Sequence, residues 1–360
     1  MINHQKSFFK VLSGFCLMLL VALMMNSCTR KDPRYVFINK KGDIVLDDHY
    51  NFANIFSEGL AYIEIKVNKH EFKSCFIDRT GKIVLELKKG KLEKYSKGFS
   101  GGRALIKSWE PFKYKFINKA GKTVIDSLDR AWDFSDGLAN VTFNKTNKLS
   151  YSYAGDSLLT FTGGFVFIDT MGKIVLNPKG YTNISNFAEG LAVAYIWGEK
   201  FTYIDKTDKT MMVGEDYINL STFSEGLAGV QTKDGQWGYI DKTWKMIIKP
   251  QEFEDEGLFS EGLAWVEVKD KTTNEMKFGY IDKTGKMVIK PEKYSQVGDF
   301  SEGLAWVNIK DSTKNNNPDN DNDEFPVKYG FIDKTGKVVL NIQYGFAGDF
   351  KNGLAPVVIK

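Results

Sequence analysis

The most concentrated acidic side chains of this 360-residue chain lie near its C-terminal end, where Asp319, Asp321 and Asp323 alternate with asparagines. Alternating carboxylates of this kind occur in calcium-binding loops, in which a glycine stands at the sixth position and a bidentate glutamate at the twelfth. Those two positions hold Glu324 and Gly330 here. We therefore expect no metal site, and the three aspartates are the nearest approach to one.

Residues for the common catalytic mechanisms are scarce. The chain contains 3 histidines and has no HExxH, Walker or CxxC motif, so histidine-based metal sites and nucleotide chemistry are not expected. Paired carboxylates for glycoside hydrolysis stay open, because their separation depends on the fold. We expect a protein that has no cofactor and is not an enzyme. A hydrolase with an unrecognised carboxylate site is the third hypothesis.

The N-terminal residues predict chemistry of another kind, lipid attachment at Cys28. A basic start is followed by an apolar run over residues 11–25 and then by Ser27 and Cys28, the order typical of an export signal. The run has about 15 residues, fewer than the roughly 20 that a helix needs to span a bilayer. A cysteine after a small residue resembles a bacterial lipobox. We expect a signal peptide over residues 1–27, a lipidated tether over 28–34 and a lipoprotein anchored in the bacterial cell envelope, with the outer membrane favoured; an ordinary signal peptide with an incidental cysteine is the alternative.

Binding without catalysis commonly uses exposed aromatic side chains, which offer large apolar surfaces with a polar handle. Several lie in stretches of variable length that interrupt a repeating pattern, including long insertions over residues 144–164 and 311–328. Insertions of this kind fall on one face of a repeat protein, often its binding face. The candidate binding residues, with solvated loops as the alternative, are Trp109, Tyr151, Tyr153, Phe161 and Trp197.

Two short segments alternate along the chain, and each occurs eight times. Copies of the first, Phe-Ser-Glu-Gly-Leu-Ala-x-Val, begin at Phe56, Phe99, Phe134, Phe187, Phe223, Phe259, Phe300 and Phe350. Copies of the second, Phe/Tyr-Ile-Asp-Lys-Thr-Gly-Lys-x-Val, begin at Phe37, Phe76, Phe116, Phe167, Tyr203, Tyr239, Tyr280 and Phe331. This alternation predicts a repeat protein in which each unit packs against its neighbours.

The repeat resembles that of the bacterial WG-repeat family, named for a Trp-Gly pair ahead of the Tyr-Ile-Asp strand. Trp237-Gly238 is the full form, and Phe278-Gly279 and Tyr329-Gly330 are softened versions. The resemblance covers about residues 35–360. It implies a repeat architecture and brings no shared chemistry that could be assigned to individual residues.

One unit predicts three antiparallel strands and an irregular crossover to the next unit. Between the second and third strands, Asp282 can bond the backbone two residues on, and Gly285 supplies the positive φ of a tight hairpin. The array opens at Tyr35 with the second and third strands of a unit and closes with a first strand, so the two ends together make one unit. We expect a single all-β domain over residues 35–360, built from eight three-stranded antiparallel meanders in a closed, propeller-like ring. An open superhelical β-solenoid is the alternative.

The meander predicts two different edges. The hairpin turns and the Ser-Glu-Gly turns share one edge, so that Lys283 and Lys286 neighbour Glu261 or Glu302 in a charged rim, and the insertions lie on the other edge. The 49 basic and 45 acidic residues are interspersed, so no nucleic-acid partner is expected. We expect a protein-protein interaction or scaffold module at the cell envelope; the alternative is a carbohydrate-binding surface lipoprotein.

Overall fold

The predicted hairpin turns form, and their aspartates hold them together. Asp282 Oδ1 accepts hydrogen bonds from the backbone N–H groups of Thr284 and Lys286 at 2.8 and 3.1 Å, and from the Thr284 hydroxyl at 2.6 Å. Gly285 has a φ of 83°, which glycine adopts without steric cost. The Thr284 hydroxyl and these amides hold the pKa of the Asp282 carboxyl below its usual value. The repeated aspartates are therefore turn-forming residues.

The computed structural model describes residues 33–69, 71–88, 90–93, 96–108, 112–142, 164–196, 201–211, 217–310 and 327–359, and the backbone of 148–150 and 160–161. All regular elements in these residues are β-strands. They form eight four-stranded antiparallel units, called blades 1 to 8 here.

The first described strands are β1 (Arg34–Asn39) and β2 (Ile44–Ala53), which form the outer half of blade 8. Blade 1 consists of the end of β2 together with β3 (Ala61–Asn68), β4 (Glu71–Ile77) and β5 (Ile83–Glu86). Blade 2 contains β6 (Lys91–Leu92), β7 (Phe99–Ser100), β8 (Arg103–Lys107), β9 (Tyr114–Asn118) and β10 (Thr123–Leu128). Blade 3 contains β11 (Arg130–Ala131), β12 (Ala139–Thr142), an inserted hairpin of β13 (Lys148–Ser150) and β14 (Thr160–Phe161), β15 (Val166–Ile168) and β16 (Ile174–Leu176).

Blade 4 contains β17 (Asn183–Ile184), β18 (Leu191–Tyr195), β19 (Phe201–Asp205) and β20 (Thr210–Met211). Blade 5 contains β21 (Tyr217–Leu220), β22 (Leu227–Thr232), β23 (Trp237–Asp241) and β24 (Met246–Gln251). Blade 6 contains β25 (Asp255–Glu256), β26 (Leu263–Lys269), β27 (Met276–Asp282) and β28 (Met287–Glu292). Blade 7 contains β29 (Gln296–Val297), β30 (Leu304–Lys310), β31 (Val327–Asp333) and β32 (Val338–Tyr344), and the inner half of blade 8 is β33 (Phe346–Ala347) and β34 (Leu354–Ile359).

The two ends of the array share one sheet. The last strand, β34, pairs antiparallel with the first strand, β1, in a register that runs from Arg34 opposite Ile359 to Asn39 opposite Leu354. Blade 8 is therefore assembled from both ends of the repeat array, as the phase of the repeats predicts.

Apolar packing continues around the whole array. Each of the eight core clusters in the described residues lies between two successive blades. Between blades 6 and 7, the rings of Tyr280 and Phe300 pack edge-on with centroids 4.9 Å apart. Between blades 8 and 1, Phe37 packs on Phe56 at 5.1 Å. The last junction is thus built like the others, and the predicted propeller-like ring is confirmed over the open solenoid.

Each blade has one strand more than the three predicted. The extra strand precedes the Phe-Ser-Glu-Gly segment and lies at the edge next to the second strand; in blade 6, Asp255 and Glu256 pair with Glu267 and Val266. Most copies are only two residues long, which is too short to show the alternation by which a strand is recognised in sequence. This is the inner strand of the blade. At the opposite edge, the fourth strand exposes aliphatic side chains such as Val288, which is 41% exposed.

The glycine of the Trp-Gly pair allows two backbones to approach closely. At Gly279 an added Cβ would lie 2.7 Å from the carbonyl oxygen of Ile289 in the neighbouring strand, and at Gly238 the same distance from Ile248. A register irregularity in the third and fourth strands accompanies this approach. Only glycine fits such a position without displacing the outer strand.

At the predicted charged rim, successive blades are joined by a repeated contact, called a clasp here, in which an acidic side chain of one blade binds backbone N–H groups and a lysine of the next. Glu225 in blade 5 accepts hydrogen bonds from the backbone N–H groups of Glu261 and Gly262 in blade 6, at 2.6 and 3.0 Å. Its carboxylate also lies 3.1 Å from Lys283 Nζ of blade 6. The corresponding pairs are Lys40–Glu302, Lys119–Glu58, Lys206–Asp136, Lys242–Glu189 and Lys334–Glu261. The predicted partners were wrong by one or two units, because Lys283 contacts the acid of the preceding blade.

Two junctions lack this ion pair, and at both of them the two partners change together. Gly101 and Thr170 stand where the acid of blade 2 and the lysine of blade 3 are expected, and Arg103 Nε donates to the Thr170 carbonyl at 3.0 Å instead. Asn352 and Arg79 occupy the same two positions between blades 8 and 1. The paired replacements indicate that acid and lysine act as one unit.

Candidate functional site: grooves between blades 1 and 5

Most of the site residues predicted from sequence lie outside the described residues. These are Cys28, Trp109, Tyr151, Tyr153, Trp197, Asp319, Asp321 and Asp323. Of Phe161, only the backbone is described, as part of β14 in the insertion of blade 3. The candidate site is therefore built from residues that sequence reasoning did not select.

The insertions follow the C-terminal ends of second strands, at the edge opposite the clasps. At this edge the described residues form open grooves between blades. The groove between blades 2 and 3 has a volume of about 280 Å³. Blade 2 contributes Glu93, Leu105 and Tyr114, and blade 3 contributes Arg130, Trp132 and Asp133.

Aromatic and charged groups alternate along this groove. Trp132 is 39% exposed, with its ring 6.4 Å from that of Phe165. The ammonium of Lys107 lies 5.6 Å from the ring centroid of Tyr114, within cation–π distance. Burial lowers the pKa of Arg130, which stays charged. The groove therefore offers flat apolar surfaces beside fixed charges of both signs.

Asp133 provides a carboxylate to the groove between blades 2 and 3. Its Oδ1 accepts from the Ser96 hydroxyl and its Oδ2 from the Lys97 backbone N–H, each at 2.7 Å. Burial raises the pKa of Asp133 above its usual value. A carboxylate has about four lone-pair positions, so these two donors leave room for another.

A second groove adjoins the first, with Glu93 lining both. It lies between blades 1 and 2 and has a volume of about 330 Å³. Tyr62, Glu64, Lys91 and Lys107 are among its lining residues, and the Tyr62 hydroxyl donates to Glu64 Oε1 at 2.7 Å. A third groove of about 160 Å³ lies between blades 4 and 5. The two adjoining grooves are the larger two of these three.

The third residue of the Leu-Ala-x-Val segment differs between the three grooved junctions and the junctions after blades 6 and 7. The residue is Tyr62, Leu105 and Val193 at the three grooves. In blades 6 and 7 it is Trp265 and Trp306, whose indoles reach the next blade. None of the three grooves lies at a junction in which this position carries tryptophan. The position also lacks tryptophan at three junctions without a described groove, where it is Asn140, Gly229 or Pro356.

The tryptophan-filled junctions also require a glycine on the inner strand. An added Cβ at Gly257 or Gly298 would lie 2.3 Å from the indole nitrogen of Trp265 or Trp306 in the same blade. In blade 2 the same place, opposite Leu105, is held by Glu93, whose backbone N–H donates to the Leu105 carbonyl. Blade 2 thus has neither the tryptophan nor the facing glycine that blades 6 and 7 combine at this place.

Inner strands bring further carboxyls toward the ring axis. Burial raises the pKa of Asp299 to about 6 and that of Glu256 to about 7, with neighbouring carboxylates adding to both. Lys97 of blade 2 lowers the pKa of both Asp299 in blade 7 and Asp349 in blade 8, so these inner edges face a common space. In the described residues, no group of three or more His, Cys, Asp and Glu side chains has a geometry that could hold a metal ion.

One segment matches a catalytic motif in its letters alone. Gly98-Phe99-Ser100-Gly101-Gly102 fits the Gly-x-Ser-x-Gly pattern of serine hydrolases, which requires a strand-to-helix turn. Here the segment contains β7 and leads directly into β8, and the Ser100 hydroxyl donates to the carbonyl of Phe134 in the next blade at 2.6 Å. Ser57, Ser224 and Ser260 make the same bond. Ser100 is therefore part of a structural ladder.

Comparison with solved structures yields 241 matching chains. They include BamB from Moraxella catarrhalis, at 12% identity and a TM-score of 0.42, covering 76% of this chain and 88% of that one. A eukaryotic initiation factor matches at 8% identity and a TM-score of 0.49, with 91% and 98% covered. Prolyl oligopeptidase B from Galerina marginata matches at 8% identity and a TM-score of 0.51, with 91% and 55% covered. This chain thus spans about half the length of that oligopeptidase, and the likeness is one of fold.

Curated protein sequences give no match to the chain. No helix long and apolar enough to cross a bilayer occurs in the part of the chain that the structure describes. The family described as WG containing repeat matches residues 37–68, 116–146, 167–196, 237–271, 278–311 and 329–360, which is more than half of the chain. Each matched segment contains strands of two successive blades, and the chain belongs to the WG containing repeat family.

Proposed function

We propose that this protein is an interaction module that binds a partner protein at the grooved face of blades 1 to 3. The observation that carries the proposal is the pair of adjoining grooves that share Glu93. They combine exposed aromatic surface with charges of both signs, the composition that favours specific protein contacts. At the opposite edge, the clasps already pair the repeated charges with one another, so that edge offers little unsatisfied chemistry.

Co-purification tests this assignment. The full chain is recovered from its native cell with its partners, in parallel with Trp132→Ala and Tyr114→Ala at the groove and Lys242→Ala at the clasps. We expect both groove variants to lose the main partner and Lys242→Ala to retain it. Thermal unfolding of each purified variant provides the control. Partner loss on the Lys242 change alone would contradict the proposal.

Carbohydrate binding is the second candidate, and the exposed ring of Trp132 beside Phe165 favours it. Aromatic faces of this kind also serve as stacking platforms for sugar rings. A glycan array probed with the full chain and with Trp132→Ala separates the two candidates. Glycan binding that disappears with Trp132, together with no dependence of partner recovery on the groove, would favour this alternative.

We infer further that the mature protein is a bacterial envelope lipoprotein and is not an enzyme. The support is the order of basic, apolar and small residues that ends at Ser27 and Cys28. A Cys28→Ala variant is expected to leave the membrane fraction and to lose incorporation of an alkyne-labelled fatty acid. Membrane association that survives this change would overturn the anchor. Hydrolase turnover that depends on one carboxylate would overturn the non-enzymatic assignment.

A further inference from the structure

We propose that the groove between blades 2 and 3 binds a tryptophan side chain of the partner protein, which donates its indole N–H to Asp133. The incoming ring would occupy the place that Trp265 and Trp306 fill in their own junctions. This inference rests on the proposed interaction function and names its recognition chemistry. One open junction of the ring corresponds in strand register to two filled junctions.

Strand register fixes the correspondence. Leu105 stands opposite Phe116, as Trp265 stands opposite Tyr280. Two residues further along, Tyr114 faces Lys107 in blade 2, as Phe278 faces Glu267 in blade 6. Asp133 directly precedes the phenylalanine that opens the repeated segment of blade 3, as Asp299 and Asp349 do in blades 7 and 8. The groove therefore has a counterpart for each neighbour of the native indoles.

In the filled junctions the indole makes two kinds of contact. Trp306 Nε1 donates to Asp349 Oδ1 at 3.0 Å, and its ring lies 5.6 Å from that of Tyr329. Trp265 lies near enough to Asp299 to oppose the rise in the pKa of that carboxyl, and its ring lies 5.9 Å from that of Phe278. An aromatic neighbour and a half-buried carboxylate thus define the seat for the indole.

The groove of blades 2 and 3 has the same two groups with no tryptophan between them, and the Ser96 hydroxyl donates to Asp133 Oδ1 there. Tyr114 supplies the aromatic wall and Asp133 the carboxylate. The Leu105 side chain packs in the core cluster between the two blades and has no N–H to donate. Arg130 adds a guanidinium, which stacks favourably on aromatic rings. Because Glu93 replaces the inner-strand glycine of the filled junctions, the blade is not built to accept a tryptophan from its own strand. The open side of the groove faces solvent, from which a partner can enter.

Fluorine NMR with a capped tripeptide tests the seat directly. The probe is acetyl-Gly-(5-fluoro-Trp)-Gly-amide, titrated into the full-length protein. The comparison probe carries a methyl group on the indole nitrogen and cannot donate. We expect saturable binding of the first probe and about tenfold weaker binding of the second, the effect of a lost hydrogen bond to a charged acceptor. Equal affinities for the two probes would overturn the role of Asp133.

Two engineered junctions provide matched controls. The double variant Leu105→Trp with Glu93→Gly restores the residue pair of blades 6 and 7, so it should raise the melting temperature and abolish probe binding. Trp265→Leu opens the equivalent seat beside Asp299 and should add a second binding site in the wild-type background. If the double variant does not fold, the added site in Trp265→Leu alone decides the question. Probe binding retained in a folded double variant, or no added site, would overturn the proposal.

Trp109 is the competing occupant within the chain, since it lies in the segment that joins β8 to β9. A Trp109→Ala variant that binds the probe more tightly would assign the seat to the chain itself and overturn the partner proposal. Unchanged affinity supports it. The outcome also separates this inference from the proposed function. If the probe does not bind but groove variants lose the native partner, only the tryptophan inference fails. If the probe binds but the groove variants recover the native partner as well as the wild type does, the proposed function fails.

Discussion

The indole nitrogen of Trp306 in blade 7 donates a hydrogen bond to Asp349 Oδ1 in blade 8 across 3.0 Å. The bond joins a repeat to a blade assembled from both ends of the chain. Burial raises the pKa of Asp349, and the Trp306 hydrogen bond opposes that rise. One side chain therefore both fills a junction and compensates a half-buried charge.

Replacing Trp306 with phenylalanine is expected to lower the free energy of unfolding by about 1 to 3 kcal/mol, because the carboxylate of Asp349 loses a donor. Urea unfolding at neutral pH measures the change. In the double variant with Asp349→Asn, the effect of the tryptophan change should shrink. Identical effects in the two backgrounds would show that the bond contributes nothing.

Much of the ring could be predicted from sequence because the signals were local and repeated. The hairpin turn depends on Asp282 and Gly285, which lie within one short segment. Closure of the ring was predicted from the order of the segments at the two ends of the array, and the pairing of β34 with β1 forms it. Trp244, an anomaly at a turn position normally held by glycine, has a φ of 67° and stacks on Tyr203 in the preceding blade.

The grooves could not be predicted because they depend on contacts between units. Leu105 and Trp265 occupy the same repeat position, but the sequence does not reveal which neighbouring blade their side chains approach. For the same reason Lys283 was assigned to the wrong acid, since the sequence does not show which blade lies beside its turn. One signal was available in the sequence: Trp265 and Trp306 share a position at which Leu105 and Val193 are smaller. The aromatic residues selected for binding lie in insertions, outside the described residues.

Removing the lysine and removing the acid of a clasp are expected to lower the free energy of unfolding by different amounts. Lys283→Ala should lower the free energy of unfolding by about 0 to 1 kcal/mol, as for other exposed ion pairs. Glu225→Ala should cost about 1 to 3 kcal/mol, since two backbone N–H groups of the next blade also lose their acceptor. Chemical denaturation of the two variants side by side makes the comparison. A lysine effect as large as the glutamate effect would contradict this division.

Ring closure predicts that cysteines at positions 34 and 359 form an intramolecular disulfide. Arg34 and Ile359 are directly opposed in adjacent antiparallel strands, which places their Cα atoms about 4.5 to 5.5 Å apart, within disulfide range. Mass spectrometry after mild oxidation detects the bond, and a single-cysteine variant controls for Cys75 and Cys28. Dimers without the internal bond would indicate that the ends are apart.

Because of Glu256, we expect the free energy of unfolding to depend on pH. Burial raises its pKa from 4.5 to about 7, so the folded state binds more protons than the unfolded state between these values. The free energy of unfolding must then fall as pH rises from 4.5 to 7 and stay lowered above it. Relative to Glu256→Gln, the wild type should lose about 3 kcal/mol across this interval. Parallel pH dependences of the two proteins would show that the carboxyl ionises normally.

Site-specific photo-cross-linking determines whether the partner contacts the grooved face of blades 1 to 3. A benzophenone amino acid is placed at Trp132 in the groove, at Thr243 in a hairpin turn of the clasped edge or at Val288 on an outer strand, and each variant is irradiated in the native cell. We expect one reproducible adduct at Trp132, lost when Tyr114→Ala is added, and none at the other two positions. An adduct that forms at Thr243 or Val288 but not at Trp132 would contradict a partner-binding surface at the grooves.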